Sequence, residues 1–105
     1  MASMHEEIQI QVTGNVVTVR PTGELDLATA PALRAALEEA AALAVERIVV
    51  ELIDVSFVDS TGLGALVHGW RVASDRGVVL SLRDPSPAVR RVLGVTGIDR
   101  LLDDS

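Results

Sequence analysis

The chain contains no cysteine, which excludes disulfides, thiol nucleophiles and cysteine-based zinc sites. It contains no lysine either, because all nine basic residues are arginine. A Walker-type phosphate loop, Schiff-base catalysis and a phospho-receiver site each need a lysine, so these chemistries are excluded. Aromatics are nearly absent, with one Phe, one Trp and no Tyr. No apolar run approaches the roughly 20 residues that span a bilayer, so no membrane insertion is expected. The N-terminus has no basic flank followed by an apolar stretch. No signal peptide is therefore read, the expected location is cytoplasmic, and Met4 is an alternative start to Met1.

What is present is a 105-residue chain, 49% hydrophobic, drawn mostly from Val, Leu, Ile and Ala. That length suits one domain with a single core over residues 1–105. The net charge of −6 opposes a nucleic-acid partner and favours a protein partner with a basic surface.

The densest chemical signal is Phe57-Val58-Asp59-Ser60-Thr61-Gly62-Leu63-Gly64. It follows an apolar run, Ile48 to Ile53, that reads as a buried strand. It precedes Leu63, Leu66, Val67 and Trp70, which have helical spacing. Asp59 and Ser60 are therefore candidate N-caps, with oxygens placed to accept from orphan backbone N–H groups. From spacing alone, Ser60 reads as a plain cap ahead of a presented hydroxyl. Thr61 reads as a first-turn residue. Gly62 and Gly64 fail the dinucleotide pattern, whose third glycine would fall at Val67, so close helix–strand packing is expected of them.

Elsewhere, Ile8, Ile10 and Val12 alternate with Gln9, Gln11 and Thr13, the period of a half-buried strand. Gly14-Asn15 is a turn signal, so residues 7–21 read as a β-hairpin that Pro21 ends. Residues 23–26 read as a loop. Thr29 and Pro31 are expected to open a helix, with the Thr29 hydroxyl as cap and Arg34, Glu38 and Glu39 facing water. Residues 47–53 read as a strand rich enough in Ile and Val to be buried on both faces. A motif helix is expected over 61–75, then a strand over 78–82. Ser86-Pro87 should cap and open a last helix that ends at Gly94. Ile98, Leu101 and Leu102 should dock on the core, while residues 1–6 and 103–105 fray. The fold class is α/β: a mixed sheet of about four strands, an N-terminal hairpin then parallel strands, packed against about three to four helices.

The segments Asp59-Ser60-Thr61-Gly62-Leu63-Gly64, Gly23-Glu24-Leu25-Asp26, and Ser86 to Leu93 with Thr96-Gly97-Ile98 resemble the motifs of STAS domains. The resemblance covers roughly residues 7–102 and is closer to bacterial anti-sigma factor antagonists. It implies a non-catalytic switch. The unmodified antagonist binds an anti-sigma factor that also has serine kinase activity, and so frees a sigma factor. Phosphorylation of the antagonist ends binding, and a serine phosphatase restores it. By motif position the acceptor would be Ser60, with Thr61 the second choice. Asp26, Asp59, Ser60, Thr61 and Gly62 would form the partner surface. One departure is Glu51, where the family often has a smaller polar residue.

No cofactor or metal is expected, because no cluster of His and carboxylates has ligand spacing. Nor is an enzyme. His68 stands eight helical residues from Ser60, about 12 Å along the axis, too far to serve it as a base. His5 lies near the terminus, and Trp70 falls on the apolar stripe of its helix. The alternative reading is a STAS subunit of a membrane transport assembly, which would need no kinase.

Overall fold

A computed structural model describes residues 8–43 and 46–103. Strands β1 (Ile8–Thr13) and β2 (Val16–Pro21) form the expected hairpin, in register from Thr13 opposite Val16 to Ile8 opposite Pro21. Gly14 takes the left-handed φ of 59° that its tight turn demands. Pro21 closes β2, and pairing with the next strand of the sheet stops at Val19. That strand is β4 (Arg47–Glu51), parallel to β2, and β6 (Val79–Arg83) lies parallel beyond it. The sheet order is β1-β2-β4-β6, a mixed four-stranded sheet as expected. The strand read at 78–82 is shifted by one residue.

Three α-helices complete the fold: α1 (Ala30–Ala42), α2 (Ser60–Asp75) and α3 (Pro87–Thr96), followed by a 3₁₀ turn over Ile98–Leu101. The strand alternation sends Val17, Val19, Ile48, Val50, Leu80 and Leu82 into one core with Leu33 and Leu37 of α1 and Leu66 of α2. Buried aliphatic surface of this kind is the main favourable term in the fold. The two long helices lie against each other closely. A Cβ added at Gly69 would stand 2.4 Å from Leu37 Cδ1, so glycine is what lets α2 approach α1 there.

Five expectations need correction. Gly23–Leu25 is not a loop but a short strand, β3, paired in parallel with β5 (Val55–Val58) in a second two-stranded sheet. The strand expected over 47–53 stops at Glu51. Val55 N–H donates to the Leu52 carbonyl and closes a turn, leaving Ile53 exposed, and β5 starts afresh. Thr29 stands at the N-cap position of α1 but its side chain makes no cap bond, because its hydroxyl is engaged elsewhere. Helix α3 runs through Gly94 to Thr96 and stops at Gly97, which takes φ 79°. A glycine inside a helix is tolerated, whereas the left-handed position after it is what ends the helix. Asp103 does not fray: its N–H donates to the Leu82 carbonyl at 2.8 Å, beside a parallel bridge between Leu82 and Leu102. Residues 1–6, 104 and 105 lie outside the described residues. Ile98, Leu101 and Leu102 pack on the core as expected.

Candidate functional site

The site is built where the small sheet ends. The register of β3 and β5 sets Leu25 opposite Val58, both buried. In parallel strands the residues that follow a paired position leave the sheet side by side. Here they are Asp26 and Asp59. The Asp59 N–H donates to the Leu25 carbonyl at 3.1 Å and fixes that proximity through the backbone.

Asp59 then starts α2. Its extended backbone (φ −107°, ψ −173°) is that of an N-cap, and its Oδ1 accepts from the Thr61 N–H at 2.8 Å and the Gly62 N–H at 3.0 Å. Two of the helix's orphan donors are thus satisfied by one carboxylate oxygen. Of the two candidate caps, Asp59 alone has the role. Ser60 is the first residue of the helix and is exposed, with no part in the capping.

Gly62 is buried beneath this turn. A Cβ at that position would stand 2.3 Å from the Leu25 carbonyl oxygen, so only glycine lets α2 begin this close to β3. Gly64 has no such neighbour. The nearest atom to its missing Cβ is an Arg34 guanidinium nitrogen at 3.9 Å. Close packing was expected of both glycines and is found only at Gly62.

Asp26 is also engaged. Its Oδ1 accepts from the N–H groups of Ala28 at 3.0 Å and Thr29 at 3.2 Å. Thr29 answers by accepting from the Asp26 N–H at 2.9 Å and donating its hydroxyl to the Glu24 carbonyl at 2.7 Å. This closed set of bonds folds the chain from β3 into α1. Asp26, Asp59 and Thr61 are half-buried. The exposed groups beside them are the Ser60 hydroxyl and Leu27, whose exposure is 75%.

His68 lies one turn after Gly64 and does not serve Ser60. Its Nε2 is 2.6 Å from Glu38 Oε2 of α1. Trp70 is half-buried on the core, with the Arg100 guanidinium 5.7 Å from its ring centroid. Among the described residues no group of three His or acidic side chains is placed to hold a metal ion, and no helix is long and apolar enough to cross a membrane.

Two features near the site escaped the sequence. Phe57 is half-exposed, on a shallow apolar groove of about 210 Å³ shared with Ser56, Val58, Ala88, Val89 and Val92. Arg34 faces water as expected, but it does so against the motif helix. No local pattern reveals either, because each depends on how β5 and α3, or α1 and α2, meet. Glu51 is the last residue of β4. Burial first, then the charge of Asp84 and a hydrogen bond with it, raise its carboxyl above the ordinary value.

Comparison with known proteins gives the family of the fold. Residues 8–103 match the family model described as Mlab, STAS domain. The chain is 30% identical over 100 residues to the anti-sigma F factor antagonist of Paenibacillus polymyxa, covering 94% of this chain and 86% of that one. It is 31% identical over 102 residues to the anti-sigma-B factor antagonist of Bacillus subtilis, covering 97% and 93%. The anti-sigma factor antagonist SpoIIAA in its unphosphorylated form superposes with a TM-score of 0.80 at 31% identity, over 93% of this chain and 87% of that one. The phosphorylated form of the Bacillus SpoIIAA superposes with a TM-score of 0.72 at 29% identity, over 93% and 90%. By the family model, by its identity to these antagonists over most of both chains, and by its fold, this chain belongs to the STAS domain family, among the anti-sigma factor antagonists.

Proposed function

We propose that this domain binds an anti-sigma factor through the surface around Asp26, Asp59 and Ser60, and that phosphorylation of Ser60 ends that binding. The partner carries the serine kinase activity, and a serine phosphatase resets the switch. The observation that carries this reading is the exposed Ser60 hydroxyl at the first position of α2, with the capping work already done by Asp59. A hydroxyl with no structural duty is available for modification without loss of the helix start.

The physical consequence follows from charge. A phosphate adds about −1.5 to −2 at neutral pH. At a helix N-terminus that charge is locally tolerated, so the domain has no reason to unfold. The partner surface does have a reason to leave. It would have to desolvate a new dianion next to Asp59 and Asp26, and a buried charge without a partner is costly. Thr61 and Gly62 support the surface from below, since they are half-buried and buried.

Calorimetry of the unmodified chain, Ser60→Asp and the phosphoprotein against the anti-sigma partner tests the reading. Affinity should fall in that order, with circular dichroism unchanged. Equal affinity for the phosphorylated and unmodified forms would remove the switch.

A further inference from the structure

Arg34 has no part in the capping and packing described above, yet its position is fixed by the seam between two helices. Helices α1 and α2 run parallel along that seam. Glu38 meets His68, Leu37 closes on Gly69, and one turn earlier the guanidinium of Arg34 lies over Gly64. Helical side chains lean toward the N-terminus, so the surface that a side chain at position 64 would cover lies over the preceding turn. Ser60 is four residues earlier, on the same face of α2. An Arg34 guanidinium nitrogen thus lies 3.9 Å from where a Gly64 Cβ would stand, one helical turn from Ser60. It is exposed, and it forms no salt bridge among the described residues.

We propose that Arg34 is an internal clamp for the phosphate on Ser60, reaching it across the open surface at Gly64. The inference rests on the reading of Ser60 as the acceptor. The side chains around a phosphate there are otherwise acidic. Asp59 and Asp26 are both carboxylates, and their hydrogen bonds to Thr61, Gly62, Ala28 and Thr29 hold them in place. Glu24 precedes them on β3, and Glu38 is already held by His68. Arg34 is the cation that the α1–α2 seam brings to Gly64, one turn from Ser60, and its planar fork suits phosphoryl oxygens. Closing toward Ser60, it draws the phosphate onto the domain's own surface and makes the modified state a defined structure.

The test uses phosphoserine installed at position 60 during translation, independent of any kinase. Wild type, Arg34→Gln and Gly64→Leu are compared by phosphorus NMR as pH is varied. The clamp favours the dianion. The midpoint of the second phosphate ionisation should therefore lie lower in wild type than in Arg34→Gln, by about half a unit or more. Added salt should shrink the difference. Gly64→Leu keeps every charge but fills the gap, and should move the midpoint the same way as Arg34→Gln. Circular dichroism verifies that each variant is folded. The same midpoint in wild type and Arg34→Gln would overturn the clamp. Failure of the partner kinase to modify Ser60 would instead overturn the acceptor reading, and the two results are measured separately.

Discussion

The start of α2 and the start of α3 each carry a serine. Ser86 is the N-cap of α3, and its Oγ accepts from the Val89 N–H at 3.2 Å. Ser60 sits one position inside α2, where Asp59 accepts from the Thr61 and Gly62 N–H groups. One hydroxyl belongs to the fold and the other is left over. The same contrast holds at α1, where the Thr29 hydroxyl is tied to Glu24 and Asp26. A residue's nearness to a helix start therefore does not define its job. What defines it is whether another group has already satisfied the orphan donors. The two starts differ in packing as well. The first turn of α2 is pressed on β3 through Gly62, while Pro87 and Ala88 at the head of α3 are exposed.

That contrast can be broken at its tightest point. Gly62→Ala places a Cβ where the Leu25 carbonyl already stands, and should destabilise by about 3 kcal/mol, read by urea unfolding. A loss below ~1 kcal/mol would mean that α2 can retreat from β3 at little cost. Next in size is Asp59→Ala, which leaves two N–H groups without their acceptor and should cost about 1–2 kcal/mol. The sharpest form of the comparison sets Ser86→Ala beside Ser60→Ala. The first should cost about 1 kcal/mol and the second less than about 0.5. Equal losses would show that Ser60 shares the capping work.

The smallest expected effect concerns the approach to α3. Asp84, with a left-handed φ of 57°, leads through Pro85 to the Ser86 cap, and it faces Glu51 across the strand ends. The Glu51 carboxyl binds its proton more tightly in the folded state, because burial and Asp84 raise it. Its contribution to stability is therefore present at acid pH and is lost as pH rises from the ordinary carboxylate value through the raised one. Glu51→Gln should remove that loss. The variant should gain on wild type as pH rises through that range, measured by thermal unfolding at a series of pH values. A difference that does not change with pH would contradict the pairing.

Much of this was legible in the chain. The hairpin, the parallel strands and the motif helix follow from alternation, turn residues and helical spacing, all of which are local. The second sheet was not. Gly23–Leu25 is too short to show a period, and it exists only because β5 offers it a partner. Ile53 misled because an apolar residue beside a strand carries no sign that it faces solvent. The convergence of Asp26 and Asp59 was expected from the resemblance, and the register of Leu25 with Val58 supplies its physical cause. Which of Asp59 and Ser60 is the cap depended on backbone angles that composition does not encode. Arg34 read correctly as exposed. Its position over Gly64 depends on the parallel packing of α1 and α2.

The central claim is that the Ser60 hydroxyl is free of the fold and is the group the partner modifies. Site-resolved mass spectrometry after incubation with the anti-sigma partner and ATP tests it most directly. A single phosphate should appear on Ser60, vanish in Ser60→Ala, and persist in Thr61→Ala and Ser86→Ala. A phosphate mapped to Thr61 or Ser86, or none from a kinase that is active on another antagonist, would contradict the account.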